Sequence, residues 1–376
     1  MTHVDPAGSC VTLREHATRG GTKLAHAELN SEATLNSVSL EMIQILQPAL
    51  ERWRADDSVS AVLITGAGDR AFSAGGDIQA LYRAMVANHE AGVTVDEYPF
   101  QFFEQEYRLD YLIHNFSKPL ICVGHAIVMG GGLGIFSGAR FRVVSEKCRI
   151  AFPEVSIGLF PDAGGTWMLR NLVPGIAAFI GMTGSSVNAA DALASGIATH
   201  HTRLDARGDI LTVLTRLDLG GDADTDSSMI DAALSALPAA PLPAGEFAIL
   251  SREFDLSGSY AEVAGRIEEY AGASEWAQRG IATMQHGCAT SVGIVIEQLR
   301  RSPALDMADC FRMEMDVASH CALFSEFTEG IRALIIEKDN QPRWRHASIA
   351  ELDEAQVLAH FEPAWPENPL ADLALM

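Results

Sequence analysis

Six cysteines in 376 residues form no C-x-x-C pair, so the chain carries neither a zinc-ribbon spacing nor a dithiol redox motif. Cys10, Cys122, Cys148, Cys288, Cys310 and Cys321 sit mostly among apolar neighbours and read as reduced thiols of a reducing compartment. Positive charge is scarce as well. Lys and Arg number 27 against 49 Asp and Glu, a formal net charge of -22. That excludes a general nucleic-acid-binding face, while leaving room for an anionic ligand held by a few local bases. Met1 to Arg19 has no apolar core and mixes acids with bases. Neither a secretory signal nor a transit peptide is expected, and the expected location is cytoplasmic. Leu120 to Ala139 runs twenty residues without a formally charged side chain, but six of the twenty are glycines. A buried strand, a tight turn and a helix account for it better than a membrane span.

Familiar ligand signatures are missing too. There is no Walker A sequence and no G-x-S-x-G. Gly132-Leu133-Gly134 lacks the third glycine of a dinucleotide turn. Asp222, Asp224 and Asp226 alternate as in a calcium loop, but Ser227 and Ala233 stand where Gly and Glu belong; a flexible acidic loop is expected. His200-His201 has no Cys or acid cluster beside it in sequence and reads as surface. No internal repeat of 20 to 50 residues is present, and no metal or separate cofactor is called for.

What is there is an ordinary globular composition, 48% hydrophobic and 20% charged. Two short strands are predicted within Val11 to Leu29, around Arg19-Gly20-Gly21-Thr22. A helix follows over Leu35 to Trp53, where Leu40, Ile43, Leu46, Leu50 and Trp53 recur at helical steps. Val59–Thr65 reads as a buried strand. Gly76-Asp77 opens a helix, Glu90 to Pro99 is a loop, and Phe100 to Phe116 is helical. Leu120 to Val128 is a strand, Gly132 to Ala139 a helix, and Phe141–Val144 and Ile150–Phe152 are strands. Short helices follow over Trp167–Leu172, Ile176–Met182 and Ala189–Ser195. Strands alternating with helices indicate α/β. Past about residue 205 the texture changes. Gly220 to Ser228 is a polar loop, Leu237 to Pro243 a Pro/Ala-rich connector, and helices are predicted near Ala261–Tyr270, Ala289–Arg301 and Met307–Ser319. The expected division is therefore 1–205 as the core, 206–243 as loop and connector, and 244–376 as a mostly helical region.

Two features carry chemistry. Glu154 and Asp162, eight positions apart, are the only charged residues between Arg149 and Arg170. Apolar surroundings disfavour a charged carboxylate and raise its proton affinity towards the range useful in acid/base work. Taken alone, the pair is equally well a satisfied buried acid and a turn Asp beside Pro161 and Gly164-Gly165. The second feature is a pair of glycine turns, Ala71-Phe72-Ser73-Ala74-Gly75-Gly76-Asp77 and Met129-Gly130-Gly131-Gly132-Leu133-Gly134, each after an apolar strand and before a helix. Two such N–H groups converging on one carbonyl oxygen would make an oxyanion hole; each turn alone is also simply a tight connection.

Together these segments resemble the crotonase (enoyl-CoA hydratase/isomerase) superfamily. The likeness starts near Val11, takes in Asn36-Ser37-Val38, both glycine turns, Gly124-His125-Ala126 and Pro153-Glu154, and runs to about Gly196. It implies a spiral of ββα units with a C-terminal helical region. Gly76 and Gly131 would hold the thioester oxygen of an acyl-CoA, and Ala71, Ser73 and Ala74, with Asp77, would line the path of the CoA moiety. Coenzyme A would then be part of the substrate, and the C-terminal helices would join identical subunits. The hydratase branch has a second glutamate at a position that falls on Gly134, which cannot do acid/base chemistry. Phe152-Pro153-Glu154 through Asp162-Ala163-Gly164-Gly165, Glu146-Lys147-Cys148, Glu106-Tyr107, Arg312-Met313-Glu314, Glu329-Gly330-Ile331-Arg332 and Pro342-Arg343-Trp344 resemble the 3-hydroxyisobutyryl-CoA hydrolase family instead. That resemblance implies catalysis by Glu154 and Asp162. Asp162 would bind the acyl 3-hydroxyl or assist proton transfer to the departing thiolate, and Glu106 would border the acyl pocket. An enoyl-CoA hydratase or isomerase and a non-catalytic acyl-CoA-binding protein are the alternatives.

Overall fold

The computed structural model describes residues 8–373. By its contacts the chain divides into two compact units, each assembled from separated stretches: Met1–Gly76, Leu109–Ile150 and Val187–Gly245 in the first, Asp77–Arg108, Ala151–Ser186 and Glu246–Met376 in the second. The connector at Leu237 to Pro243 and the change of texture near 205 both fall inside the first unit.

The first unit contains strands β1 (Val11–Ala17), β2 (Lys23–Leu29), β3 (Val59–Gly66), β4 (Ala71–Ser73), β5 (Leu120–Gly124), β6 (Ile127–Met129), β7 (Phe141–Ser145), β8 (Arg149–Ala151, whose last residue belongs to the second unit), β9 (Val187–Asn188) and β10 (His200–Thr202). They form a six-stranded sheet, β1-β2-β3-β5-β7-β10, and a four-stranded sheet, β4-β6-β8-β9. After the β1–β2 hairpin the large sheet is parallel throughout. Its central strands β3 and β5 are near-continuous apolar runs, as parallel strands covered on both faces require. One cover is a cluster that joins Leu63, Val123 and Val143 to Ile210, Leu214, Ile230 and Leu234 of the helices Asp209–Thr215 and Ala223–Ser235.

The chain passes from the large sheet to the small one three times, and a glycine marks the first two crossings. A β-carbon on Gly66 would stand 2.5 Å from the Phe72 carbonyl oxygen, and one on Gly124 would stand 2.8 Å from the Phe136 ring. The sequence of elements is then strand, short strand, glycine turn and helix, repeated: β3, β4 and α2 (Ile78–Ala91), then β5, β6 and α4 (Gly131–Gly138). Helices α1 (Leu40–Ala55) and α3 (Tyr98–His114) precede β3 and β5 respectively. This is the α/β class expected.

Several boundaries differ from expectation. Leu120 to Val128 is two strands, interrupted at His125-Ala126, where the chain leaves one sheet for the other. The first helix begins at Leu40, since Leu35 and Asn36 take left-handed backbone (φ 56° and 54°) and Ser39 caps the helix by accepting the Met42 N–H. The helix after Asp77 extends to Ala91, shortening the loop expected from Glu90. Most of Gly220 to Ser228 is the start of the helix Ala223–Ser235: Asp222 accepts the Thr225 N–H, and Asp226 accepts those of Gly220 and Gly221. Asp222 is thus the cap of this helix and Asp226 ties down the turn before it. His200 is buried in β10 rather than on the surface, 3.3 Å from Asp231. The helix Glu275–His286 was not anticipated.

The second unit is mostly helical. Among its elements are α2, the first part of α3, Gly165–Arg170, Pro174–Thr183, Ala289–Arg301, Met307–Leu323 and Ser325–Ile331. Phe103 and Tyr107 of α3 pack their rings with each other, and Tyr107 meets Phe311 at 6.2 Å. Among the described residues no helix is long and apolar enough to cross a membrane.

Candidate active site

The glycine turns lie in the first unit. β4 and β6 are parallel neighbours, with Ala71 opposite Ile127 and Ser73 opposite Val128, so both turns leave the small sheet at the same end. Gly75 (φ 110°) and Gly130 (φ 49°) take backbone that residues with a β-carbon rarely adopt. The turns also meet without room to spare: a β-carbon on Gly132 would lie 2.4 Å from Ser73 Cβ, and one on Gly75 would lie 3.4 Å from the Met129 carbonyl oxygen. Gly131 is the first residue of α4, where no preceding turn offers its N–H an acceptor.

Asn36 braces the first turn. Its Nδ2 donates to the carbonyls of Ala67 (2.9 Å) and Ala71 (3.1 Å), and its Oδ1 accepts the Ser31 N–H (2.9 Å). Leu35 accepts the Ala74 N–H and Val38 donates to the Gly75 carbonyl. The side chains of Ala71 and Ser73 are buried, so β4 can present mainly backbone to a ligand. Asp77 caps α2 by accepting the Ala80 N–H at 3.2 Å.

The acids lie in the second unit. Glu154 sits in a one-turn 3₁₀ helix, Pro153–Ser156, whose first-turn proline presets the backbone. Its carbonyl accepts the N–H groups of Ile157 (2.9 Å) and Leu159 (3.1 Å), folding the following loop back on it. A β-carbon on Gly158 would come 2.5 Å from the Glu326 carbonyl oxygen, and one on Gly330 would come 2.3 Å from that of Ile157. The loop therefore lies backbone to backbone against the helix Ser325–Ile331, which is the physical reason for Gly330.

Beyond Asp162 the chain turns through two left-handed residues, Ala163 (φ 53°) and Gly164 (φ 80°), into the helix Gly165–Arg170. Three side chains hold this turn. Glu314 accepts the N–H of Gly164 on Oε2 and that of Thr166 on Oε1, both at 2.8 Å. Gln298 donates to the Pro161 carbonyl and to Thr166 Oγ1, both at 2.6 Å. Tyr107 donates its hydroxyl to Asp162 Oδ2 at 2.7 Å.

Glu106, Glu154, Asp162 and Glu314 are all buried. Among the described residues, Glu154 Oε2 and Glu106 Oε1 have no hydrogen-bond partner. Burial raises the proton affinity of Glu154 well above the ordinary carboxylate range, and the charges of Asp162 and Glu106 push it further. Glu106 is raised by burial, then by Asp162 and Glu314. Glu314 is pushed up to about 8 by burial, against the opposing pull of its N–H donors. Asp162 is raised by burial and held back by the Tyr107 hydroxyl. Closely placed buried carboxyls resist ionising together, so the proton affinity of the group is raised as a whole.

Glu106, Glu154 and Asp162 are thus brought into one electrostatic group, and the turns carrying Gly76 and Gly131 are brought into contact with each other. Two residues of the acid group were not singled out from the sequence. Tyr107 stood in the Glu106-Tyr107 pair and Glu314 in Arg312-Met313-Glu314, but neither pattern says what the side chain touches.

A family model described as Enoyl-CoA hydratase/isomerase matches residues 24–361. The chain belongs to the enoyl-CoA hydratase/isomerase family. Among curated relatives of this family member, the 3-hydroxyisobutyryl-CoA hydrolase, mitochondrial, of Gallus gallus is 30% identical, over 96% of this chain and 90% of that protein. The protein of the same name from Danio rerio is 32% identical, over 88% and 84%. Among solved structures, a carnitinyl-CoA dehydratase from Mycobacterium thermoresistibile superposes with a TM-score of 0.80 at 30% identity, covering 94% of this chain and 97% of that one. An enoyl-CoA hydratase from Rhodobacter sphaeroides 2.4.1 gives 0.79 at 29% identity, covering 95% and 98%. The crotonase-type fold follows from these likenesses.

Proposed function

We propose that this enzyme hydrolyses a short 3-hydroxyacyl-CoA thioester, 3-hydroxyisobutyryl-CoA in the first instance, to the free acid and CoA. The observation that carries the reading is the acid group itself: Glu154 buried with an unpartnered oxygen, and Asp162 buried and held by Tyr107. The names of the curated relatives support the same chemistry. So does Gly134, which leaves the second glutamate of a hydratase without a counterpart.

In this reading the N–H groups of Gly76 and Gly131 receive the thioester oxygen as it becomes an oxyanion; losing one such donor costs on the order of 3 kcal/mol in the transition state. Glu154 supplies the attacking side, taking a proton from water as water adds to the carbonyl carbon, or adding directly to form a mixed anhydride that water then opens. The C–S bond breaks with its electron pair on sulfur. Asp162 serves the acyl 3-hydroxyl or hands a proton to that sulfur, and Glu106 shapes the acyl pocket. Ala71, Ser73, Ala74 and Asp77 line the path of the CoA moiety. The free thiols fit a reducing compartment such as the cytoplasm, and contact between identical subunits through the C-terminal helices belongs to the same proposal.

A hydratase reading is favoured by one observation, the likeness to the two solved structures described above, a carnitinyl-CoA dehydratase and an enoyl-CoA hydratase. Thiol release from (S)-3-hydroxyisobutyryl-CoA, measured beside the loss of enoyl absorbance from crotonyl-CoA, separates the two. Binding of both esters without either change would leave an acyl-CoA-binding protein.

A further inference from the structure

Resting on the reading of Asp162 as the group that binds the acyl 3-hydroxyl, we propose that Tyr107 is its positioning residue, and that the Tyr107 hydroxyl commits Oδ2 so that Oδ1 alone meets the substrate. The argument begins with the backbone around Asp162. The Asp162 carbonyl accepts the Gly165 N–H at 2.8 Å, Glu314 ties Gly164 and Thr166, and Gln298 ties Pro161. With the chain fixed on both sides, what remains free is rotation of the Asp162 side chain, and a carboxylate in a dry site needs a donor to fix it.

The donor comes from α3. Tyr107 Oη stands 2.7 Å from Oδ2, and its ring is clamped between Phe103 and Phe311. Tyr107 and Phe311 are 0% exposed, so the hydroxyl has no competing water. The ring of Tyr107 does not have to touch substrate for this. Its effect passes through Asp162.

The groups that face Asp162 make this donor count for more. They are Glu106 and Tyr107 on α3, Glu154 on the 3₁₀ turn, and Glu314 and Cys321 on the helix Met307–Leu323. The charges acting on Glu106, Tyr107 and Glu154 are all carboxylates. Against that background the phenol is the group that favours ionised Asp162, alongside the residue's own backbone. Adjacent on one helix, Tyr107 favours the charge of Asp162, and that charge in turn raises the proton affinity of Glu106.

The test is Tyr107→Phe, which keeps the ring and removes only the donor. The Asp162 carboxyl is followed by pH titration of ¹³C-aspartate-labelled protein, with Asp162→Asn assigning the signal. Losing one hydrogen bond to a charged group should move the Asp162 midpoint to higher pH by about one unit, tenfold in proton affinity. The corresponding limb of kcat/KM for thiol release should move with it, with kcat falling about tenfold or more and KM little changed. A second variant works in the other direction. Site-specific 3-fluorotyrosine at position 107 strengthens the donor and should lower the midpoint, which a purely packing role would not do. An unmoved midpoint in both variants overturns the proposal. The titration reads Asp162 without turnover, so a wild-type protein that releases no thiol would count against the proposed function and leave the titration to decide the role of Tyr107.

Discussion

Tyr107 and Asp162, 55 residues apart in the chain, are joined by a 2.7 Å hydrogen bond between buried side chains. The bond links the aromatic helix α3 to the loop after Glu154. What Asp162 then does with its other oxygen can be measured.

If Asp162 binds the acyl 3-hydroxyl, Asp162→Asn should slow hydrolysis of 3-hydroxyisobutyryl-CoA far more than that of isobutyryl-CoA, which lacks the hydroxyl. If it serves the departing thiolate, both should slow alike, by about 10²- to 10⁴-fold. Near wild-type rates on both esters would remove Asp162 from the mechanism.

Glu314 is a second place where one side chain carries a disproportionate load. Glu314→Ala leaves the buried N–H groups of Gly164 and Thr166 without acceptors. Each costs about 1–3 kcal/mol, so a loss of about 2–6 kcal/mol is expected in urea unfolding. A loss below about 0.5 kcal/mol would mean that the turn holds itself.

Stability should also depend on pH in an unusual direction. Glu106, Glu154, Asp162 and Glu314 all have raised proton affinity in the folded chain, so the folded state binds more protons than the unfolded one. The contribution of these four groups is then greatest below the ordinary carboxylate range and falls as pH rises from there; for Glu314 the window runs from 4.5 to about 8. Each group contributes a slope of at most about 1.4 kcal/mol per pH unit. Urea unfolding at a series of pH values should show the fall, and Glu314→Gln should flatten it. A wild-type stability that climbs across this window would contradict the assignment.

The glycine turns offer a separate test. Gly132→Ala places a methyl group against Ser73 and should displace the N–H of Gly131, with kcat falling by about 10²- to 10³-fold. Adding Ser73→Gly removes the clashing β-carbon and should restore part of the loss. A fully active Gly132→Ala enzyme would separate this turn from catalysis.

How far the sequence could be read depends on how local each cause is. Glu154 and Asp162 stood out because no other charge falls between Arg149 and Arg170, and the strands stood out because parallel strands must be apolar on both faces. The crossing at His125-Ala126 was hidden because both of the strands it separates are apolar, and only the packing of Gly124 against Phe136 reveals the corner. Asp222 to Asp226 were read as loop because acids that cap a helix look like acids in a loop until the helix is seen. Glu314 was the hardest to place: it falls in step with Cys310, Val317 and Cys321 on the buried face of its helix, but its partners lie about 150 positions earlier in the chain, and periodicity does not say what a buried acid holds.

The most direct test of the whole account is free-thiol release from (S)-3-hydroxyisobutyryl-CoA by the wild-type enzyme and by Glu154→Gln, with crotonyl-CoA assayed in parallel. Rapid thiol release by the wild type, cut by orders of magnitude in Glu154→Gln, with crotonyl-CoA left unhydrated, is the predicted result. Hydration of crotonyl-CoA without thiol release would contradict it.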